Sequence, residues 1–269
     1  MDKKEIEIAG KKIVYHIGGR GLPVVLIHGF GEDGTVWKNQ VASLERMYKL
    51  IIPDVPGSGD SEMVNDMSMD GVSRTIKKIL DKEKISTCTM IGHSMGGYIA
   101  LAFAEENPSY LTAFGLFHST AYPDTEEKKS TRRKGIEFIK EHGAFEFLKN
   151  TTPNLFSTQT KEENAEIIEE QINSLSNFSQ NALVSYYEAM IERIDRTSFL
   201  RSSTIPILFI AGKTDNAVPL DDVLKQCHLP SLSYIHILGN SAHMGMLEEP
   251  AKSNFILENF LRNAGVTRT

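Results

Sequence analysis

The sequence is poor in cysteine, lacks long apolar runs and carries no excess of positive charge. Its 269 residues include two cysteines, Cys88 and Cys227, without a C-x-x-C pair, so a disulfide framework, a structural zinc site or a redox dithiol is not expected. No apolar stretch approaches the ~18 residues of a membrane span, and no signal-peptide core follows the charged residues 1–5. We therefore expect a cytoplasmic protein without a membrane segment.

The charge balance argues against nucleic acid as a partner. Lys and Arg number 29 and Asp and Glu number 35, so the formal net charge is −6. Nucleic-acid phosphates are bound by clustered positive charge, which this composition does not favour. With 41% apolar and 24% charged residues, the chain is composed like a globular protein and is long enough to bury a core.

Short β-rich runs alternate with helical patterns over much of the chain. The runs lie at residues 3–9, 13–17, 23–27, 50–52, 87–91, 114–117, 205–210 and 234–238, and several are apolar throughout. Such runs are typical of parallel strands covered by helices on both faces. Helical patterns occupy residues 71–82, 95–106 and 250–261, and in the last the expected inward residues are Phe255, Ile256, Phe260 and Leu261. The alternation predicts an α/β fold.

The alternation stops between residues 119 and 203, where we predict no strand. Helical patterns occupy residues 126–142, 161–175 and 180–200. A block of this length is too long for a loop. We therefore predict that residues 119–203 form a helical cap, or lid, inserted into a core built from residues 1–118 and 204–269.

The candidate nucleophile is Ser94, in the segment Gly92-His93-Ser94-Met95-Gly96. A G-x-S-x-G match is weak alone, but this one follows a β-rich run and opens an apolar helix, as a nucleophile elbow does. The glycines leave room for a strained turn that presents the hydroxyl at the carboxyl edge of the sheet. His93 is expected to support the elbow by a hydrogen bond. The alternative is a turn whose serine only caps the helix.

A serine nucleophile needs a base, and the base needs an orienting carboxylate. Asp215 follows the run at 205–210, and His243 follows the run at 234–238. Both are therefore expected at the same sheet edge as Ser94, in the chain order Ser, Asp, His. The alternatives are a turn aspartate and a solvent-facing loop histidine.

Other residues compete weakly for the acid position. Asp221 and Asp222 are expected to begin and cap a helix. His118 and Ser119 end the strand after the nucleophile helix and carry no carboxylate, which favours Asp215. No H-x-x-H or clustered His and carboxylate spacing predicts a metal site.

The loop after the run at 23–27 reads His28-Gly29-Phe30-Gly31 and predicts half of an oxyanion hole. The amides of Phe30 and Met95 would be the two donors that stabilise negative charge on the reacting oxygen. Gly29 allows the tight turn, and His28 is expected to pin the loop. The alternative is a plain glycine turn.

With these segments in place, the chain resembles the α/β-hydrolase superfamily, in particular its serine-nucleophile, carboxylesterase-like group. The resemblance rests on residues 28–31, 54–61 and 92–97 together with Asp215 and His243, and it covers essentially the whole chain. It implies a mostly parallel eight-stranded sheet with the second strand antiparallel, flanking helices, an inserted helical cap, and no cofactor or metal. Serine at the elbow distinguishes the chain from the dehalogenases and epoxide hydrolases of this fold, which use aspartate there.

The function expected from these residues is cleavage of a small carboxylic ester through an acyl-enzyme on Ser94. One alternative is a carbon–carbon bond hydrolase or lyase with the same triad, and another is a small-ligand sensor on the hydrolase fold. Trp37, Phe138 and Phe147 are candidates to line an apolar substrate pocket, although ordinary core packing would also account for them. The expected partner is a small ester-like molecule, and no feature predicts an oligomeric state.

Overall fold

The computed structural model describes residues 1–266, and their strands form one eight-stranded sheet. The strands are β1 (Asp2–Ile8), β2 (Lys11–Gly19), β3 (Leu22–Ile27), β4 (Tyr48–Pro53), β5 (Cys88–His93), β6 (Leu111–Phe117), β7 (Ile207–Gly212) and β8 (Ser233–Leu238). Their order is β1-β2-β4-β3-β5-β6-β7-β8. β2 is antiparallel to both neighbours, and the pairs from β4 to β8 are parallel. The predicted α/β fold, with its antiparallel second strand, is confirmed.

The strand order reverses around β3. From β3 the chain moves to β4 on one side and then returns to β5 on the other side. The loops that follow β3 and β5 therefore diverge at the carboxyl edge and leave a crevice between them, the usual ligand position in an open α/β sheet. Ile27 on β3 lies opposite Gly92 on β5, so both loops start at the same level.

Helices cover both faces of the sheet, as its apolar strands require. α2 (Met69–Lys82), α3 (Met95–Glu106) and α10 (Leu220–Leu224) contribute to one apolar cluster, whereas α1 (Lys38–Leu44), α11 (Gly245–Glu248) and α12 (Pro250–Val266) contribute to the other. Ten of the twelve residues of α3 are buried. A helix that is apolar on all sides belongs in the interior of a protein.

Six α-helices lie between β6 and β7, within the residues 119–203 that we call the cap segment. They are α4 (Glu126–His142), α5 (Ala144–Thr151), α6 (Thr158–Glu163), α7 (Ala165–Ser174), α8 (Gln180–Glu192) and α9 (Thr197–Ser202), and this segment contains no strand. α4 has the predicted bounds. That the cap segment is a separate subdomain stays a prediction.

Two predicted helices of the cap segment are wrong in extent. The pattern over 161–175 is divided into α6 and α7 at Asn164, whose backbone is not helical. The pattern over 180–200 ends at Glu192, because Arg193 adopts extended backbone at φ −62° and ψ 140°. Its guanidinium pairs with buried Asp124 at 2.8 Å. This tertiary ion pair is invisible to helical periodicity.

The last helix also corrects one expectation. Phe255 was expected to face inward, but 66% of it is exposed, whereas Ile256, Leu257, Phe260 and Leu261 are buried. The buried stripe passes beside Phe255, so this prediction was wrong. None of the helices in the described residues is long and apolar enough to cross a membrane.

Candidate active site

Ser94 lies at the sharp turn between β5 and α3. Its backbone has φ 50° and ψ −118°, a strained conformation that L-residues rarely adopt. The turn is held by the Ser94 amide, which donates to the Phe117 carbonyl at 3.0 Å. A Cβ on Gly92 would collide with the backbone of Gly96, so a side chain there would displace the start of α3. The local sequence therefore produces the predicted elbow geometry.

Asp215 and His243 meet at the same sheet edge. Asp215 Oδ2 lies 2.8 Å from His243 Nδ1, and its Oδ1 accepts from the amides of Ala217 and Val218 at 2.9 Å each. The hydroxyl of Ser94 has no hydrogen-bond partner within residues 1–266, so its contact with His243 is not closed in this structure. Catalytic hydrogen bonds are often long before substrate binds.

The local charges favour an ionised acid and a basic imidazole. Burial opposes the charge on Asp215, but His243 and His118 outweigh it and hold the pKa of the carboxyl far below its usual range. Burial also disfavours the charged form of His243, and by itself it would lower the pKa of this histidine. The charge of Asp215 and its hydrogen bond, together with the charges of Glu32 and Glu248, raise this pKa above the ordinary histidine value.

The loop after β3 presents a free amide beside the elbow. His28 Nε2 accepts from the Val55 amide at 3.0 Å, and His28 Nδ1 lies 2.9 Å from the Gly29 carbonyl, so His28 is tied into this loop. The amides of Phe30 and Met95 donate to no acceptor in the described part of the chain. They are therefore available to a negatively charged oxygen, as an oxyanion hole requires.

A buried carboxylate, Glu32, was missed by the sequence analysis. Its Oε2 accepts from the Gly29 amide at 2.6 Å and lies 3.0 Å from His93 Nδ1. His93 Nε2 lies 3.0 Å from the His243 carbonyl. An acceptor therefore lies at each ring nitrogen of His93, one from Glu32 and one from the loop of His243. The only sequence signal was a charged residue directly after the glycine loop.

The pKa of Glu32 fits this pairing. Burial would raise it, but the charge and hydrogen bond of His93 and the bond from the Gly29 amide lower it below the usual value. There is also no room for a side chain at Gly29, because a Cβ there would lie 2.9 Å from His93 Nδ1. The loop of Phe30 and the loop of His243 are thus joined through the side chains of Glu32 and His93.

The loop of His243 is also tied to the cap segment. The His243 amide donates to the carbonyl of Leu155 at 2.9 Å. Glu248 Oε1 accepts from the amides of Ala242 and Met244, at 2.9 and 3.2 Å. Its Oε2 accepts from cap residues Ser157 and Thr160 at 2.8 Å each. Glu248 therefore connects the loop of His243 to the cap segment. This role of Glu248 was not predicted from the sequence.

Two of the three predicted pocket residues, Phe138 and Phe147, pack together, and the third, Trp37, lies elsewhere. Phe147 packs edge-on against Phe30 with ring centroids 6.3 Å apart, and Phe138 lies behind it at 6.1 Å. Tyr187 stacks on Phe30 at 4.3 Å. Trp37 is fully buried in the other apolar cluster, where it packs on Phe117 and His93. We therefore assign Trp37 to the core and not to a pocket.

Three possible ligand atoms of His118, Asp215 and His243 lie within 4.8 Å of one another. A metal at this cluster would have to compete with His243 for the Asp215 carboxylate. The expectation of a metal-free and cofactor-free site stays a prediction.

Comparisons with known proteins agree with this fold. A family model described as "alpha/beta hydrolase fold" matches residues 23–134. The chain is 24% identical over 257 residues to 3-oxoadipate enol-lactonase 1 of Acinetobacter baylyi, covering 94% of each chain. It is 26% identical over 280 residues to 2-hydroxy-6-oxo-6-(2'-aminophenyl)hexa-2,4-dienoic acid hydrolase of Metapseudomonas resinovorans, covering 98% of this chain and 92% of the relative.

A solved structure shows the same fold at full length. The thermophilic esterase of Thermogutta terrifontis, solved with malate bound, superposes with a TM-score of 0.92 at 25% identity, covering 98% of this chain and 99% of the esterase. Together with the eight-stranded topology and the nucleophile elbow, these likenesses show that the chain is an enzyme with the α/β-hydrolase fold.

Proposed function

We propose that this enzyme is a serine hydrolase that cleaves a small carboxylic ester through an acyl-enzyme on Ser94. His243 is the general base, Asp215 orients it, and the amides of Phe30 and Met95 form the oxyanion hole. The observation that carries the proposal is the 2.8 Å contact between Asp215 and His243 beside the strained serine elbow. Support also comes from the relatives, among which are an esterase and an enol-lactonase by name.

The first half of the reaction attaches the acyl group to the enzyme. His243 Nε2 takes the proton of the Ser94 hydroxyl while the oxygen attacks the ester carbonyl. Asp215 holds the proton of Nδ1, so that Nε2 has its lone pair free. The resulting imidazolium then gives its proton to the departing alcohol. Water, deprotonated by the same nitrogen, releases the acid in the second half.

Stabilisation of the oxyanion depends on groups that need not move during the reaction. The amides of Phe30 and Met95 donate to no other acceptor within the described residues, so they lose no hydrogen bond when negative charge develops on the reacting oxygen. One such donor contributes about 3 kcal/mol to the transition state. The amino terminus of α3 adds a favourable dipole at the same place.

The acyl group is expected to lie against an aromatic cluster of the cap segment. Phe30 stacks on Tyr187 and packs edge-on against Phe147 and Tyr186. An apolar acyl chain that extends from a carbonyl held in the oxyanion hole would therefore contact these rings. Burial of the apolar surface of the chain against the rings would favour binding.

Substitution of Ser94 by alanine tests the proposal. We expect Ser94→Ala to lower kcat for p-nitrophenyl esters and simple lactones by at least about a thousandfold, with Tm nearly unchanged, because only the nucleophile is lost. A fluorophosphonate should label the unmodified protein but not the variant. Ser174→Ala, at an exposed serine of α7, is the control and should behave as the unmodified protein. Ester turnover that survives in Ser94→Ala would contradict the assignment.

The second candidate is hydrolysis of a carbon–carbon bond by the same triad. It is favoured by the full-length similarity to the dienoic acid hydrolase of Metapseudomonas resinovorans. The choice of substrate distinguishes the two candidates. An enzyme that hydrolyses carbon–carbon bonds would consume a vinylogous 1,5-diketone rapidly and would turn over p-nitrophenyl esters poorly. The reverse preference supports the esterase.

A further inference from the structure

His118 is a buried histidine at the site for which the proposed reaction has no use. It directly follows β6 and is fully buried. Its φ of 50° makes it one of four non-glycine residues with positive φ among those described, and Ser94 is another. These two occur at the carboxyl ends of neighbouring strands, β5 and β6. Strained residues in a site are a reason to look for a role.

The ring of His118 lies against the acid of the triad. Its Nδ1 is 3.2 Å from Asp215 Oδ2, the oxygen that also contacts His243, and 3.0 Å from the Gly212 amide. Its Nε2 is buried and has no partner in the described residues. Gly245 borders this nitrogen so closely that a Cβ would lie 2.5 Å from it. The ring is therefore tightly enclosed and cannot easily turn.

The environment decides where the ring proton resides. Burial lowers the pKa of His118 to about 4, so the ring is neutral near pH 7 and carries one proton. A proton on Nε2 would be a buried donor without an acceptor, and the lone pair of Nδ1 would face the Asp215 carboxylate. A proton on Nδ1 makes a charge-assisted hydrogen bond to that carboxylate, at the cost of the weaker neutral bond from Gly212. The Nδ1–H form is the more favourable.

We propose that His118 is a positioning residue, whose Nδ1–H donates a second hydrogen bond to the Asp215 Oδ2 that orients His243. The proposal rests on the proposed function, because it assigns His118 a role through the triad acid. Oδ1 is already held by the amides of Ala217 and Val218, so the carboxylate accepts from four donors. It is thereby held ionised and aimed at His243.

A consequence follows for the base. An acceptor shared between two imidazoles stabilises the protonated form of His243 less than an unshared one would. The other groups that act on His243 are Glu32, Glu248 and the ring of His93, whose centroid is 4.9 Å away. None of them is hydrogen-bonded to His118, although the ring of His93 packs edge-on against the ring of His118 with centroids 6.1 Å apart. Removal of the His118 donor should therefore raise the pKa of His243 and loosen its orientation.

The test compares two variants and reads the ring proton directly. His118→Leu removes the donor, whereas His118→Asn can place an amide N–H where Nδ1 was and tolerates positive φ. We expect kcat/KM of His118→Leu for a p-nitrophenyl ester to fall about tenfold at pH 7. The midpoint of the acid limb of its pH profile should move to higher pH by about half a pH unit. His118→Asn should restore both, and Tm is measured for each.

Nitrogen-15 NMR of the unmodified protein provides an independent measurement. We expect the His118 proton on Nδ1, and a proton on Nε2 overturns the proposal even if His118→Leu does not fold. A pH profile of His118→Leu that superposes on that of the unmodified protein also overturns it. If the unmodified protein neither cleaves esters nor is labelled by a fluorophosphonate, the proposed function fails, while the NMR result still decides whether the hydrogen bond exists.

Discussion

The charge state of a single imidazole controls the proposed chemistry. His243 is buried, which disfavours its protonated form, yet the carboxylates of Asp215, Glu32 and Glu248 favour that form and together raise its pKa. A base of raised pKa accepts a proton more readily, but it is also protonated, and so inactive, up to a higher pH. The residues around His243 therefore set both the strength of the base and the pH range in which it acts.

The pH dependence of ester cleavage follows from this raised pKa. Because only neutral His243 can take the Ser94 proton, kcat/KM should rise with pH, with a midpoint above the ordinary histidine value of about 6.5. Asp215→Asn removes the nearest negative charge, so its midpoint should move down and its rate should fall by several powers of ten. Profiles measured from pH 5 to 9 check both expectations. A flat profile, or a midpoint well below 6.5, would count against His243 as the base.

The sequence predicted Ser94, Asp215 and His243 because each lies at the end of a recognisable strand or in the loop that follows it. It did not predict Glu32 or the role of His118, because their partners are 61 and 97 residues away in the chain. A charged residue in a loop has no pattern that reveals whether it will be buried. Only the register of β3, β5, β6 and β7 brings these groups into contact.

Among the elements, α12 shows how a helix is oriented by its apolar stripe and not by its largest residue. Ile256, Leu257, Phe260 and Leu261 are buried, and these positions repeat at the three- and four-residue spacing of one helix face. Phe255 is turned away from that face and is mostly exposed. The prediction for Phe255 failed because this aromatic residue was included in an apolar stripe that the neighbouring buried residues already complete.

Two alanine substitutions in α12 distinguish these positions. Leu257→Ala should destabilise the protein by about 2–5 kcal/mol, because it leaves a cavity in a fully buried site. Phe255→Ala should change the free energy of unfolding by less than about 0.5 kcal/mol, since it removes a mostly exposed ring. Urea unfolding measures both values. Equal losses in the two variants would mean that α12 packs differently in solution.

At the scale of the whole molecule, the cap segment and the loop of His243 form one connected unit. Glu248 accepts two hydrogen bonds from the loop of His243 through Oε1 and two from Ser157 and Thr160 through Oε2. The carbonyl of Leu155 receives the His243 amide directly. A displacement of the cap segment near residues 155–160 would therefore disturb the base as well as the substrate site.

Glu248→Gln tests this connection. A glutamine keeps one acceptor oxygen, but its amide group then faces donors, so either the loop or the cap segment loses its bonds. With each bond to the charged group contributing about 2 kcal/mol, we expect a lower Tm and roughly a tenfold loss of kcat. Glu170→Gln breaks the exposed pair with Lys38, which also joins the cap segment to the core, and should change neither value. An unchanged Tm and kcat in Glu248→Gln would contradict the connection.

The sequence by itself determined the α/β architecture and the serine elbow, since strand and helix periodicity and the steric freedom of glycine act within a few residues. The tertiary structure alone decided which way Phe255 faces, where the cap helices break, and how Glu32, His118 and Glu248 are used. These outcomes depend on contacts between distant segments, where burial makes a charge costly unless a partner from another strand or loop lies beside it. Such partners are set by strand register and packing, which no local pattern encodes.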